Sequence, residues 1–325
     1  MSAYPFPVPA SFFGMVLGIV GLGNVWRTAA RLWGMPRPVG EMIMLTAVVV
    51  WALLLLAYLG KWIWSRSQAL AEFRHPVQCC FIGLVPVSTM LIALAIAPYS
   101  NEAAWALFAP GALGQLAFGI HRTGTLWMGG RDPADTTAAS YLPTVAGSFV
   151  TAIVAGALGD APLGVFFFGA GMFSWLALES VVLRRLLEVA PVPPAQRPTL
   201  GIHFAPPVVA CVAYLSITSG PPDLFAQALF GYGVVQGLVI VRLIPWLRAQ
   251  PFAPSYWAYT FATAACALAA VRFLERGLRG PIEWMAPIVF VVANVVIGAI
   301  FVRTLWLLVR GRLLPATPPV PAATS

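Results

Sequence analysis

The sequence predicts an all-α membrane protein in which ten transmembrane helices form one domain. Hydrophobic residues make up 60% of the 325 positions and charged residues only 9%, against about 45–50% and about 25% in an average globular protein. The hydrophobic residues fall into ten runs, and each run supplies the roughly 20 apolar residues that a helix needs to cross the hydrocarbon core. Short segments rich in proline, glycine and charge separate the runs, which leaves no room for a large soluble domain.

The ten predicted spans follow one another in series and form a transmembrane domain, residues 1–312. The remaining segment, 313–325, is rich in proline and alanine, so we expect a disordered tail. Charged residues, prolines or glycines bound each span. The predicted spans are 8–33, 41–65, 77–97, 103–128, 140–159, 162–189, 199–219, 223–248, 254–276 and 282–312.

The basic residues near the span ends predict the orientation of the helices. With ten spans both termini lie on the same side, and thirteen of the 19 lysine and arginine residues fall on that side, against six on the other. Basic residues are enriched in the cytoplasmic loops of membrane proteins. We therefore expect a multi-pass protein of the cell inner (plasma) membrane, with both termini in the cytoplasm.

The odd-numbered spans differ from the even-numbered ones in their prolines. Pro86, Pro143 and Pro206 lie early in the third, fifth and seventh spans, and their nearly regular spacing fits one helical hairpin per repeat. A proline in a membrane helix removes a backbone hydrogen bond, which protein or water must replace. The alternation predicts five hairpins, with the odd helices as a kinked inner ring around a central pore. The simpler explanation is that proline is common in membrane helices.

The side chains that catalysis requires are missing from suitable positions. His75, His121 and His203 have no carboxylate or cysteine at metal-ligand spacing, and Lys61 is the only lysine, so there is no phosphate-binding loop with its lysine. We therefore expect no enzymatic activity, no metal and no cofactor. The net charge of +8 comes from basic residues scattered at the ends of apolar runs, so nucleic acid is not an expected partner.

Glu179 lies deep in the sixth predicted span. An ionisable side chain inside a membrane is a marker of function. Two roles are open: a structural ion pair with the nearby Arg184 or Arg185, which we favour, or a proton relay. The central turns of the odd spans contain almost no ionisable group, and His203, near the start of the seventh, is the exception.

The ninth span sets one aromatic residue among small ones. Phe261 precedes a run rich in alanine, and Ala265 and Leu268 share its helical face. If that face lines a pore, the small residues leave a narrow lumen and the ring of Phe261 blocks it, as a hydrophobic gate does. Because the chain contains 20 phenylalanines, packing or contact with lipid is the more common role for any one of them.

Several segments, taken together, resemble the tellurite-resistance/dicarboxylate transporter (TehA) family, which is related to the slow-type anion channels of plant guard cells. The resemblance extends over nearly the whole chain, from about Pro5 to Arg312, and it depends on all the motifs together. The segments are Pro5–Pro9 with Phe13-Gly14, Pro86–Met90, Tyr141–Pro143, Phe167–Met172, Ala213–Ile217, Gly231–Gly233 and Trp257–Phe261.

The resemblance implies quasi-fivefold symmetry of the five hairpins around the pore, and a homotrimer with one pore in each protomer. It also implies that Phe261 is the gating phenylalanine of the ninth helix. Phe13, which precedes a glycine, corresponds to the pore phenylalanine of the first helix. This chain has Ala262 directly after Phe261 and no proline in the middle of the ninth span.

We expect a passive channel that conducts small monovalent inorganic anions such as chloride and nitrate across the lipid bilayer through a phenylalanine-gated pore. A nearly chargeless pore ranks anions by the cost of removing their water, which favours weakly hydrated anions. The alternative is a secondary carrier for dicarboxylate, sulfite or tellurite-related oxyanions, coupled to protons, with saturable and pH-dependent flux. A purely structural or sensory membrane protein is a third class.

Overall fold

The computed structural model describes residues 8–189, 191–249 and 251–314, and in these ranges all regular secondary structure is helical. Ten of the described helices are long and apolar enough to cross a membrane, and each coincides with a predicted span. The chain is thus a multi-pass membrane protein. The spans, numbered 1 to 10 in chain order, are Ala10–Trp33, Arg37–Trp64, Gln78–Ile96, Asn101–Trp127, Ala138–Ala157, Ala161–Glu188, Pro194–Ile217, Leu224–Leu247, Pro254–Glu275 and Ile282–Val309.

The predicted tail falls mostly outside the described residues. Leu313 and Leu314, at its start, pack against the hydrophobic core. The predicted disorder of the tail concerns residues 315–325, which are not among those described, and residues 5–7 of the Pro5–Pro9 segment lie outside them too.

Burial divides the spans into two classes that alternate along the chain. In the odd-numbered spans 72–83% of the most apolar stretch is buried, and in the even-numbered spans only 17–28% is buried. The even spans instead expose large apolar side chains, such as Leu53 of span 2 and Phe173 of span 6. An exposed apolar surface of this extent needs hydrocarbon as its solvent. The odd spans are therefore the inner helices, and the even spans are the outer ones.

The contacts between the helices close a ring. Each inner helix packs against the outer helix that follows it in the chain, and the inner helices contact one another in the cyclic order 1, 3, 5, 7, 9 and back to 1. All five inner helices run in the same direction. They begin on the side of the chain termini, here called the near side, and end on the opposite far side. A fivefold rotational symmetry of the pairs stays a prediction.

Every inner helix begins with an irregular turn on the near side, whereas each outer span is a single α-helix. In span 5 the irregular segment continues as a π-helical turn, Leu142–Ala146. Irregular backbone occurs inside a membrane only where protein or water bonds its free polar groups. The initial 3₁₀ segments are Ala10–Phe13, Gln78–Gly83, Ala138–Tyr141, Pro194–Thr199 and Pro254–Tyr259.

The three prolines predicted to kink the inner helices lie at or next to these turns. Pro143 is part of the π-helical turn, Pro206 is in the first turn of an α-helix, and Pro86 is the third residue of one. The outer helix of the preceding pair, span 4, bonds the irregular backbone of span 5, because Gln115 Nε2 donates to the Pro143 carbonyl at 2.8 Å. Span 9 also begins irregularly without a mid-helix proline, so proline alone does not cause the turns.

Two glycines let span 1 lie against span 9. A Cβ atom at Gly18 would come within 2.1 Å of Thr260 Oγ1, and one at Gly21 within 2.7 Å of the Ala264 Cβ atom. Small residues allow such close approach between membrane helices, where association depends on packing rather than on the hydrophobic effect. Any side chain at these positions would push span 1 away from the helix that carries Phe261.

Lys61 and Glu72 form a buried ion pair on the near side. Lys61 Nζ lies 2.7 Å from Glu72 Oε2, and the two side chains are 6% and 8% exposed. The other carboxylate oxygen accepts the backbone N–H of Ala10 at 2.8 Å, one of the donors that a helix start leaves free. The pair therefore joins the start of span 1 to the end of span 2 and to the short helix Arg66–Arg74.

Lys61→Met should destabilise the fold by about 3–5 kcal/mol, because it leaves the Glu72 carboxylate buried without its cation. The double variant Lys61→Met/Glu72→Gln should recover much of the loss, because the amide carries no charge and still accepts from Ala10. The midpoint of thermal unfolding of the detergent-purified protein measures both effects.

An exposed ion pair provides the control for this experiment. Arg184 and Glu188 are 78% and 61% exposed, so Arg184→Ala should change the stability by less than about 1 kcal/mol. A double variant that unfolds at the same temperature as Lys61→Met would show that the unpaired charge is not the cause of the loss.

Candidate functional site

A cavity of about 160 Å³ lies between the inner helices in the near half of the ring. Each of the five inner helices contributes to its wall, so the cavity lies inside the ring rather than between two neighbours. The residues furthest along each inner helix that line it are Leu17, Leu84, Phe149, Val209 and Phe261.

The wall of this cavity is apolar and uncharged. Aliphatic and aromatic side chains predominate, and the polar groups are hydroxyls and amides such as those of Ser11, Gln78, Tyr141 and Gln196. None of the described residues that line it is charged, and the described part of the chain contains no group of three or more histidine, cysteine or acidic side chains that could hold a metal. An uncharged wall binds an ion weakly, which is what rapid release requires.

Phe261 is one of the five deepest residues of the cavity wall. It is the last residue of span 9 to line the wall, and it is partly exposed, whereas Ala262 and Ala264 are fully buried. Gly21 of span 1 lies beside the ring, because a Cβ atom added there would lie 3.7 Å from Phe261 Cδ2. The aromatic ring thus lies close to span 1 at this level.

The residues that follow Phe261 on its face of span 9 are buried. Ala265 and Leu268 lie on this face, and they are only 5% and 6% exposed. Neither residue lines the cavity.

The remaining predicted pore residues take different positions. Pro206 lines the cavity together with Phe261. Phe13 is fully buried, with its ring edge-on to Tyr58 of span 2 at 5.8 Å between centroids. Its role in the gate stays a prediction that its position behind the wall does not support.

Pro86 and Pro143 contact span 4 rather than the lumen. A Cβ atom at Gly111 would come within 3.1 Å of the Pro86 carbonyl oxygen, and one at Gly119 within 2.7 Å of the Pro143 carbonyl oxygen. Both carbonyls therefore point towards span 4, which is the outer helix of the same pair for Pro86 and of the preceding pair for Pro143. The influence of these prolines on the pore is consequently indirect, through the path of the inner helices.

A buried polar network, which the sequence analysis did not predict, adjoins the wall. Glu179 Oε2 accepts from the Tyr141 hydroxyl at 2.7 Å and from Trp175 Nε1 at 2.8 Å, and its Oε1 accepts from the Tyr232 hydroxyl at 3.0 Å. His203 Nε2 lies 3.4 Å from the same carboxylate, and His203 Nδ1 lies 3.2 Å from the Tyr141 hydroxyl. Since Tyr141 lines the cavity, the network connects the lumen wall to span 6.

The partners of Glu179 correct part of the sequence interpretation. Arg184, one of the two expected partners, pairs with Glu188 at 2.8 Å. The spacing of Trp175 and Glu179, four residues apart on one helix, was a signal available in the sequence. The contact between Glu179 and Tyr141 could not be predicted from the sequence, because it depends on how span 5 packs against span 6.

The sequence model of one protein family matches nearly the whole chain. The family is SLAC1, described as voltage-dependent anion channel, and the match covers residues 7–305. A tellurite resistance protein TehA homolog from Haemophilus influenzae is 35% identical over 309 residues, which are 95% of this chain and 93% of that protein.

Two plant proteins are more distant relatives. The S-type anion channel SLAH3 of Arabidopsis thaliana is 24% identical over 91% of this chain and 48% of its own length. The guard cell S-type anion channel SLAC1 of the same plant is 23% identical over 91% of this chain and 55% of its own length. This chain therefore spans about half the length of the plant proteins. The near-complete match and the identity to the bacterial homolog show that the chain belongs to the SLAC1/TehA family of anion transport proteins.

Proposed function

We propose that the protein is a passive channel for small monovalent anions such as chloride and nitrate, and that Phe261 is its gate. The observation that carries the proposal is the uncharged cavity that all five inner helices enclose, with Phe261 among its deepest wall residues. The similarity to S-type anion channels supports the ion type.

The electrostatics of the ring favour anions on the near side. All five inner helices begin there, and the N-terminal end of a helix carries roughly +0.5 of an elementary charge. These partial charges surround a wall without a full charge, so an anion is attracted but not held. Because no fixed set of ligands replaces the water of the ion, the permeability of each anion depends on the cost of removing that water. Nitrate is more weakly hydrated than chloride, so it passes more easily.

The gate follows from the surroundings of Phe261. An aromatic ring across a narrow apolar lumen excludes the water that an ion needs, so it blocks conduction without any charge. The ring lies beside Gly21 of span 1, which has no side chain to hold it in place. Opening requires the ring to turn away from the axis or the inner helices to separate at this level.

The remaining features of the proposal concern the assembly and its setting. The near side, which holds most of the basic residues, is the cytoplasmic side of the inner membrane, because cytoplasmic loops are enriched in such residues. Three copies associate through the exposed apolar faces of the outer helices, with one pore in each. The turns at Pro86, Pro143 and Pro206 set the width of the near half of the ring.

A second candidate function is a proton-coupled carrier for oxyanions. The polar network favours it, because Glu179 and His203 are ionisable groups linked to the cavity wall through Tyr141. A carrier moves far fewer ions per second than an open pore and shows no unitary current steps.

Phe261→Ala should raise the anion current by about tenfold or more, because removal of the ring lowers the barrier by at least about 1.4 kcal/mol. Voltage clamp of oocytes or planar bilayers measures the current. Phe173→Ala is the matched control, because this phenylalanine is 74% exposed on an outer helix, and its current should equal that of the unmodified protein. An unchanged current for Phe261→Ala at equal surface expression would contradict the gate.

Glu179→Gln should separate the channel from the carrier. In the channel, unitary current steps persist in this variant, and the reversal potential follows the anion gradient and not the proton gradient. Single-channel recording in bilayers with a pH gradient measures both quantities. Absence of unitary steps, together with a flux whose dependence on pH disappears in Glu179→Gln, would favour the carrier.

A further inference from the structure

Arg272 lies on the same face of span 9 as Phe261, towards the far side. It follows Phe261 by eleven residues, which is about three turns of an α-helix, so its direction differs by only about 20° and its position by about 16 Å along the axis. Ala265 and Leu268 lie between them on this face. The arginine is half-buried.

The opposite face of span 9 is occupied by other packing. Thr263 and Cys266 line a groove against the outer helices, and the ring of Phe273 packs against Phe230 of span 8 at 5.3 Å between centroids. Since these residues point outwards, Arg272 points towards the interior of the ring, in line with the proposed gate.

The guanidinium of Arg272 is only partly engaged. Its Nη1 atom donates to Ser216 Oγ at 2.8 Å and lies 3.5 Å from the Val212 carbonyl oxygen, both on span 7. Within the described ranges these are its hydrogen bonds, so Nε and Nη2 remain available to an acceptor. The nearest acidic residue in sequence, Glu275, is bound to Arg31 at 2.7 Å instead.

Arg276, one turn further, has a more structural role. Its Nη2 atom donates to the Thr218 carbonyl at 2.7 Å and also to the Leu215 carbonyl. These carbonyls belong to the C-terminal end of span 7, where the last carbonyl groups of a helix lack partners. Arg276 thus joins the C-terminal ends of spans 7 and 9. Arg272 does not take part in these bonds to the helix end.

The charges on the far side oppose the helix dipoles. All five inner helices end there, and each C-terminal end carries roughly −0.5 of an elementary charge, which would repel an anion that has passed the gate. Arg27 donates to the carbonyls at the end of span 3 at 3.0 and 3.1 Å, as Arg276 does at the end of span 7. Positive charge therefore lies at the places where the backbone is most negative.

Basic and acidic residues are equal in number on the far side, six of each, so the pairing of these residues decides which positive charges are not neutralised. Arg27, Arg31, Arg272 and Arg276 face Glu41 and Glu275, and these two glutamates are bound to Arg27 and Arg31. Four further carboxylates lie at the starts of the outer helices on this side. Asp160 and Asp223 accept backbone N–H groups of spans 6 and 8, Glu102 accepts from the Ser100 hydroxyl, and Glu283 accepts the Gly280 N–H and lies 3.9 Å from Arg279. Arg272 and Arg276 form no ion pair with the described carboxylates.

We propose that Arg272 binds a single small anion at the far mouth of the pore and makes the pathway select anions over cations. The free Nε and Nη2 donors present a fork to the anion, and the full charge overcomes the unfavourable field of the helix ends. Arg272 is half-buried, so the anion keeps part of its water and leaves readily. This inference rests on the proposed channel function.

Arg272→Gln in the Phe261→Ala background tests the inference. The ratio of chloride to sodium permeability, from reversal potentials in a sodium chloride gradient, should fall about tenfold or more, as a loss of at least about 1.4 kcal/mol of charge interaction requires. The chloride concentration at half-maximal conductance should rise. Arg279→Gln is the matched control, since this arginine is 66% exposed and lies near Glu283 on the surface, and both quantities should stay unchanged.

The outcomes separate this inference from the proposed function. If Phe261→Ala itself carries no current, the channel proposal fails. If Phe261→Ala conducts and Arg272→Gln, correctly assembled, leaves the permeability ratio and the half-saturation unchanged, the anion site is wrong.

Arg272→Lys covers the case in which Arg272→Gln does not fold, because it keeps the charge and loses the planar fork. It should preserve anion selectivity and change the ratio of nitrate to chloride permeability. An Arg272→Lys variant with the parental nitrate-to-chloride ratio and half-saturation would overturn the proposal.

Discussion

Backbone polar groups inside hydrocarbon must find partners within the protein, and the architecture of this protein follows from that constraint. The outer helices meet it mainly by being uninterrupted α-helices, although Pro110, Pro245 and Pro287 each remove one backbone N–H donor from spans 4, 8 and 10. The inner helices begin with 3₁₀ or π-helical turns, which leave carbonyls free. Such turns are tolerated because outer helices cover them, as Gln115 shows by its bond to the Pro143 carbonyl.

The parallel direction of the five inner helices gives the ring an electrical polarity. Every helix presents its N-terminal end to the near half and its C-terminal end to the far half, so the dipoles add rather than cancel. The near half needs no charged residue to be favourable for an anion, and its wall contains none among the described residues. The far half is unfavourable for an anion, because the negative ends of the same dipoles lie there. Arginines contact the helix ends on this side.

Sequence patterns predicted this fold well because a membrane simplifies the problem. Length, hydropathy and charge define a span without reference to its neighbours, and each observed span begins and ends within a few residues of its predicted position. The alternation of proline-bearing and bulky spans indicated the inner and outer helices.

The sequence by itself determined the membrane fold, the ten spans, the family and Phe261 as the aromatic residue of interest. Tertiary structure decided which side chains share a wall. Phe13 lies behind the cavity, Glu179 bonds to Tyr141 from another helix, and Arg272 is aligned with Phe261 inside the ring. The physical reason is that hydropathy records contact with lipid, whereas the rotation of each inner helix is fixed by packing against its neighbours in the ring, which no single run of residues encodes.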